Sequence, residues 1–253
     1  MSTSSLKTLE KAVELLWAIA DGKGSSSVDE LAAKVHLPKS TTYRFIKTLQ
    51  SKGMVDASSK YGRYHLGSAL YFLSQAVPKQ GSLRDHAVSV MRRLTEETGE
   101  TSFLCVKTGL ETTCIECIES LQAIITRYDV GKVRPLHVGA ASKVILAFLP
   151  DSEIETILRG ELRKITDNTF TNPSKLQKEI ECIRRSGYAY SDQEFIIGAR
   201  AISAPIFESD GSILASVTIS APISRLGNSN RKQLTKLVTK AGQQISRAIE
   251  LKT

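Results

Sequence analysis

"LPKSTTYRFIKTLQSKGMV", residues 37–55, sets a proline, several hydroxyls, cations and an apolar stripe in one segment. At about 100° per residue, Thr42, Phe45, Ile46 and Leu49 share one helical face. Ser40, Thr41, Arg44, Lys47 and Thr48 share the opposite one. One side can pack on a domain while the other offers short hydroxyls and cations outward, as a helix lying in a DNA groove requires. A solvated amphipathic helix has the same pattern, so the flanking segments decide.

Upstream, Leu9, Ala12, Val13, Leu16, Trp17 and Ala20 recur at helical spacing and predict a first helix with that core face. Ser27 and Glu30 form a capping box that starts a second, short helix. His36-Leu37-Pro38 stops it, and Pro38 suits the first position of the next helix. Ala32 and Ala33 are small where the two helices cross. This is a helix-turn-helix whose second helix carries Lys39, Ser40, Thr41, Tyr43, Arg44 and Lys47 toward DNA. Lys52-Gly53 ends that helix. Two short strands follow at 54–57 and 61–66, with Ser58, Ser59, Lys60 and Arg63 at the tip of the hairpin. A basic hairpin after a recognition helix is a wing for phosphate or minor groove. A plain solvated hairpin is the bland alternative.

Charge supports the first reading. The 253-residue chain has a formal net charge of +8. Residues 1–80 hold 11 Lys/Arg against 6 Asp/Glu, and residues 81–253 hold 23 against 20. The basic excess therefore sits at the front, as in a phosphate-binding domain.

The remaining two-thirds alternates. A helical connector at 67–80 is closed by Pro78 and Gly81. Helices are predicted at about 83–98, 141–149, 151–158, 174–186 and 228–250. Strands are predicted at about 101–107, 111–119, 122–129, 200–207 and 213–220, with Asp210-Gly211 as a hairpin turn. Hairpin-paired strands bracketed by helices give an α+β domain around an antiparallel sheet. The expected domains are a winged helix-turn-helix at 1–67, a linker helix at 68–81, and an effector-binding and oligomerisation domain at 82–253.

In VGAASKVILAF, small residues at a helix start leave amides open to an anion, or allow tight packing. Thr218 and Ser220 alternate onto one face of an apolar strand, lining a pocket or facing water.

These segments resemble the IclR family of bacterial transcription regulators. TLEKAVELL, LPKSTTYRFIKTLQSKGMV and YHLG resemble its DNA-binding domain. GETSFLCV, CIES, VGKVRPLHVGAASKVILAFLP and IRRSGYAYSDQEFIIGARAISAPIFESDGSILASVTISAP resemble its effector domain. The resemblance implies a profilin- or GAF-like C-terminal fold. It carries the family's effector positions to Ala140, Ala141, Ala201, Thr218 and Ser220, and to Asp192, with Ser191 the alternative by a one-residue shift. Many relatives have Gly where Ser142 stands, so pocket size or a direct hydroxyl contact turns on that position.

Other classes fit poorly. No GxSxG, HExxH, Walker or GxGxxG motif appears, which leaves an enzyme with an unrecognised active site as a rival reading and implies no cofactor. A ligand-blind architectural DNA protein, the other rival, has no need of a large second domain. Cys114 and Cys117 lie three apart on a strand and so on opposite faces. With scattered histidines and no second CxxC, no metal site is expected, and Cys105, Cys114, Cys117 and Cys182 read as buried thiols. No run approaches about 18 apolar residues, and the N-terminus lacks a signal-peptide pattern, so a cytoplasmic protein without membrane contact is expected. The expected partners are double-stranded operator DNA, a small effector bearing a carboxylate, and a second copy of the chain. A homodimer, or a tetramer as a dimer of dimers, would match a two-fold operator. Leu70, Phe72 and Leu73 of the connector are the candidate dimer contact. Repression of small-molecule catabolism genes is the expected role.

Overall fold

The computed structural model describes residues 6–21, 26–58, 62–76, 81–126 and 128–250. It divides into two compact units, Met1–Lys79 and Gln80–Thr253.

The first unit contains α1 (Lys7–Ala20), β1 (Ser26–Ser27), α2 (Val28–Val35), α3 (Lys39–Ser51), β2 (Val55–Ala57), β3 (Arg63–Leu66) and α4 (Ser68–Ala76). The capping box forms as expected: Ser27 Oγ accepts from the Glu30 amide at 3.3 Å, and Glu30 Oε2 accepts from the Ser27 amide at 2.8 Å. His36 closes α2 in the left-handed region, φ 53°. Pro38 is the extended N-cap residue of α3 rather than its first helical residue. At the far end Gly53, φ 67°, lets its own amide bond Gln50 O and the Met54 amide bond Leu49 O, satisfying the last carbonyls. The hairpin β2–β3 is joined by β1, giving sheet order β1-β3-β2. Ser59 and Lys60 lie outside the described residues.

The core of this unit is Leu15, Ile19, Leu31, Val35, Ile46, Leu49 and Val55. The face predicted for α1 is therefore corrected. Leu15, Ala18 and Ile19 point inward, while Leu9, Val13 and Trp17 are 62%, 44% and 52% exposed. α1 is apolar on two sides, and the wider stripe is the outer one. Ala32 is buried as expected, whereas Ala33 is exposed.

The second unit holds α5 (Gly81–Thr98), β4 (Thr101–Thr108), β5 (Glu111–Ile118), β6 (Val133–Pro135), α6 (Gly139–Ala147), α7 (Asp151–Arg159), α8 (Pro173–Ser186), β7 (Ala189–Asp192), β8 (Ala199–Phe207), β9 (Ile213–Pro222) and α9 (Asn228–Glu250). Six strands form one antiparallel sheet ordered β6-β5-β4-β9-β8-β7. One face packs on α5 and α9 through Leu104, Ile202, Val217, Met91 and Ile245. The other packs on α6 and α8 through Phe103, Cys105, Ile145 and Ile180. Asn172 caps α8, with Pro173 first in the helix.

Two edges differ from expectation. Residues 122–129 form no strand in their described part: Ile124 is exposed, and β-branched residues without a partner strand do not hold one. The edges are instead β6, three residues ending in proline, and the short β7. β4 and β5 also pair with a shifted register, so that Phe103 faces Cys117 and Cys105 faces Cys114. The extra residue turns Cys114 and Cys117 to the same face, correcting the strand-geometry argument. Cys114 Sγ donates to the Glu116 carbonyl at 3.3 Å. Cys105 and Cys114 are buried and Cys117 half-buried, but Cys182 is exposed. Among the described residues no group of three or more His, Cys, Asp and Glu could hold a metal ion. No helix among them is long and apolar enough to cross a membrane.

Gly242 marks where α9 crosses β8. A Cβ there would stand 2.7 Å from Pro205 O and 3.0 Å from Ala204 Cβ. Gly242→Ala gains up to about 1 kcal/mol of helix propensity, yet backbone atoms of a sheet interior cannot retreat cheaply. The expected result is a net loss of about 1–3 kcal/mol, read as a lower urea midpoint with unchanged slope.

Candidate functional site

Two surfaces carry the chemistry, one in each unit. In the first, burial of Thr42, Ile46 and Leu49 turns the other side of α3 outward. Ser40, Tyr43, Arg44, Lys47 and Thr48 are exposed, and Thr41 is half-buried. Lys47 lies over the Tyr43 ring, 5.3 Å from its centroid, and Thr48 Oγ1 donates back to Arg44 O. Lys39 and Arg63 are engaged with the start of α2. Lys39 pairs with Asp29 at 2.6 Å and Arg63 with Glu30 at 3.2 Å. Exposed pairs of this kind hold weakly and exchange readily for phosphate.

In the second unit a pocket opens between the start of α6 and the strands beneath it. Ser191, Ala201 and Ser220 are cross-strand partners on β7, β8 and β9, so they form one row on one face. All three line the pocket together with Ala140, Ala141, Phe103, Tyr128, Arg134 and Phe195. The remaining expected positions lie elsewhere. Asp192 alternates away and makes a two-point pair with Arg200 at 3.0 Å, which holds its carboxyl below the usual range. Ser191, the alternative one residue away, lines the pocket where Asp192 does not. Thr218 is buried one row on, its hydroxyl 2.7 Å from that of Ser203. The Ser142 hydroxyl bonds Thr112 at 2.6 Å, tying α6 to β5.

The N-terminus of α6 is partly occupied by the protein itself. Glu194 Oε2 accepts from the Gly139 amide at 3.2 Å, leaving Ala140 and Ala141 as the other first-turn donors. Glu194 Oε1 and Glu179 Oε1 each stand 2.7 Å from Lys143 Nζ, which also donates to Tyr190 O at 3.0 Å. Burial pushes the Glu194 carboxyl up, against the pull of Lys143 and the Gly139 amide. A lysine inside the apolar run VGAASKVILAF is the sequence signal for this network: a buried ammonium needs a buried acid. Arg134 had no comparable signal, since β6 is too short to show a pattern, and Tyr128 and Phe195 lie outside any strand.

Each unit matches a family model. Residues 8–58 match the family model "IclR helix-turn-helix domain", and residues 75–247 match "Bacterial transcriptional regulator IclR C-terminal". The chain is 30% identical over 247 residues to the HTH-type transcriptional repressor AllR of Escherichia coli K12, covering 97% of this chain and 91% of AllR. It is 32% identical to the IclR of Thermotoga maritima, whose crystal structure superposes with a TM-score of 0.75 over 97% of this chain and 99% of that one. An IclR homolog of Microbacterium hydrocarbonoxydans, crystallised with 4-hydroxybenzoate, shares the fold at 20% identity and a TM-score of 0.81, over 96% and 99% of the two chains. The family is one of bacterial transcriptional regulators, and AllR is named a transcriptional repressor. The chain belongs to the IclR family of bacterial transcriptional regulators and is a DNA-binding protein of that kind.

Proposed function

We propose that the protein is a cytoplasmic, ligand-responsive repressor of small-molecule catabolism genes that binds a two-fold operator as a homodimer or a dimer of dimers. The observation that carries the DNA half is the outward polar face of α3 with Arg44 at its centre. Ser40, Thr41, Tyr43 and Lys47 surround it, Lys39 and Arg63 reach phosphates beside it, and the wing residues Ser59 and Lys60 are assigned from sequence alone. One winged helix buries little DNA surface, and the exposure of Phe72 and Leu73 on α4 supports pairing with a second copy. Repression follows the name of the AllR relative.

The effector half rests on the row Ser191, Ala201 and Ser220 facing the Ala140 and Ala141 amides. Asp192, Ser142 and Thr218 hold this wall in shape through Arg200, Thr112 and Ser203. Hydroxyl and amide donors in an apolar surround suit a small organic acid or compact aromatic carboxylate. The 4-hydroxybenzoate held by the Microbacterium protein is such a molecule. Effector binding changes operator affinity by favouring one of two states.

Operator fragments recovered by pull-down and sequenced supply the DNA for the test. Arg44→Ala is expected to weaken specific binding by about 1–3 kcal/mol in fluorescence anisotropy, with the fold intact. Unchanged affinity removes α3 from the groove. Lys60→Ala is expected to weaken all sequences alike and to shallow the salt dependence, as loss of one phosphate contact does.

A further inference from the structure

We propose that the Arg134 guanidinium is the receptor for a carboxylate group of the molecule that occupies the C-terminal pocket, an inference that rests on the pocket reading above. Arg134 is 6% exposed. Its guanidinium carbon lies 3.5 Å from the ring centroids of both Tyr128 and Phe195, and Tyr128 is itself stacked on Phe103 with centroids 3.7 Å apart. The two rings cover both faces of the cation. Only its edges remain, and the edges carry the N–H donors in a planar fork.

Among the described residues no hydrogen bond uses those donors. Nε is buried with no hydrogen-bond partner among the described residues. The Asp129 carboxylate acts on Arg134 only at a distance and is paired with Lys132 at 3.2 Å. A buried charge without a counter-charge is costly to keep. Its retention at a pocket wall is explained if an anion completes it in the bound state. A guanidinium clamped on both faces can be met only in its own plane, which is the geometry of a two-point carboxylate pair. Ser191 and Ser220, on the same wall, are placed to take the hydroxyl or carbonyl groups of the same molecule. The free volume among these side chains is about 30 Å³, room for about one water. Entry of an acid therefore displaces part of the wall; of the two rings over the cation, Tyr128 is held by its stack on Phe103, which leaves the Phe195 ring as the one to move. Ligand binding and a change of shape are thereby one event, as a regulatory pocket requires.

The test is a ligand-observed NMR titration of the full chain with acetate, propionate and benzoate, each against its neutral amide. In the parent at least one acid is expected to bind more than tenfold tighter than its amide. In Arg134→Met, which keeps an apolar filler between the rings, that preference is expected to fall below twofold. Ala201→Phe, which fills the pocket, is expected to abolish binding of acid and amide together. Three results overturn the proposal. One is that no acid is preferred tenfold by the parent, and another is that Arg134→Met keeps the preference. The third is that Ala201→Phe leaves acid binding intact, which removes the pocket reading as well. Amide binding in the parent that Ala201→Phe abolishes, with no preference for acids, keeps the pocket and removes only its carboxylate receptor.

Discussion

Lys143→Met is expected to lower the stability of the C-terminal unit by about 3–5 kcal/mol at neutral pH, the usual cost of removing one partner from a buried ion pair. Lys143 is fully buried, and its ammonium bridges Glu194, Glu179 and the Tyr190 carbonyl. Without it Glu194, 4% exposed, retains the Gly139 amide but no cation. The pH dependence identifies the cause. Burial already holds the Glu194 pKa above its ordinary value of 4.5, and loss of Lys143 lets it rise further. A carboxyl whose folded pKa is raised contributes most when protonated. Its contribution is complete below the unfolded value and is lost as pH rises through the folded one. The variant's deficit relative to the parent is therefore expected to be larger at about pH 8 than at about pH 5, in urea denaturation followed by circular dichroism. Glu194→Gln added to Lys143→Met is expected to recover part of the loss and to flatten the pH dependence. A deficit equal at both pH values assigns the cost to packing alone. The outcome bears on function because Glu194 precedes Phe195. The network that clasps Glu194 to the start of α6 thereby sets the ring that lies over Arg134.

The elements that could be read from the sequence were those whose local chemistry and burial pattern agree. Ser27 and Glu30 announce α2, the stripe Thr42, Ile46 and Leu49 orients α3, and Asp210-Gly211 joins β8 to β9. In each, a turn or cap fixes the ends and periodicity fixes the face. Where those signals part, sequence reasoning errs. Residues 122–129 have strand propensity, but their described part has no neighbour to pair with. β6 and β7 are strands because the sheet edge offers them partners, not because VRP or AYSD demands it. In the pocket a single step decides: moving from Asp192 to Ser191 exchanges one face of β7 for the other. The resemblance pointed to Ala201 and Ser220, which line the pocket, whereas Arg134 reaches it from a strand with no periodicity to declare its direction. The bulge opposite Leu104 and Cys105 likewise depends on two strands at once, so no spacing within β5 could reveal that Cys114 and Cys117 share a face.

The same argument singles out α1, where Leu15→Ala and Leu9→Ala are expected to differ sharply. Leu15 is fully buried against the core of the first unit. Truncating it removes apolar contacts and leaves a cavity, at about 2–5 kcal/mol. A small unit has little margin for such a loss. The expected result is an unfolded or partly unfolded DNA-binding unit with operator binding gone, while the C-terminal unit still melts cooperatively. Leu9, 62% exposed, is expected to change protomer stability by no more than about 0.5 kcal/mol. Urea denaturation monitored by circular dichroism, run at several protein concentrations, separates the two. Periodicity alone reverses the ranking, because it places Leu9, Val13 and Trp17 in the core. A Leu9→Ala cost that matches that of Leu15→Ala and grows with protein concentration would mean that a second copy covers the outer stripe in the working protein. A matching cost independent of concentration would contradict the inward orientation of Leu15, Ala18 and Ile19.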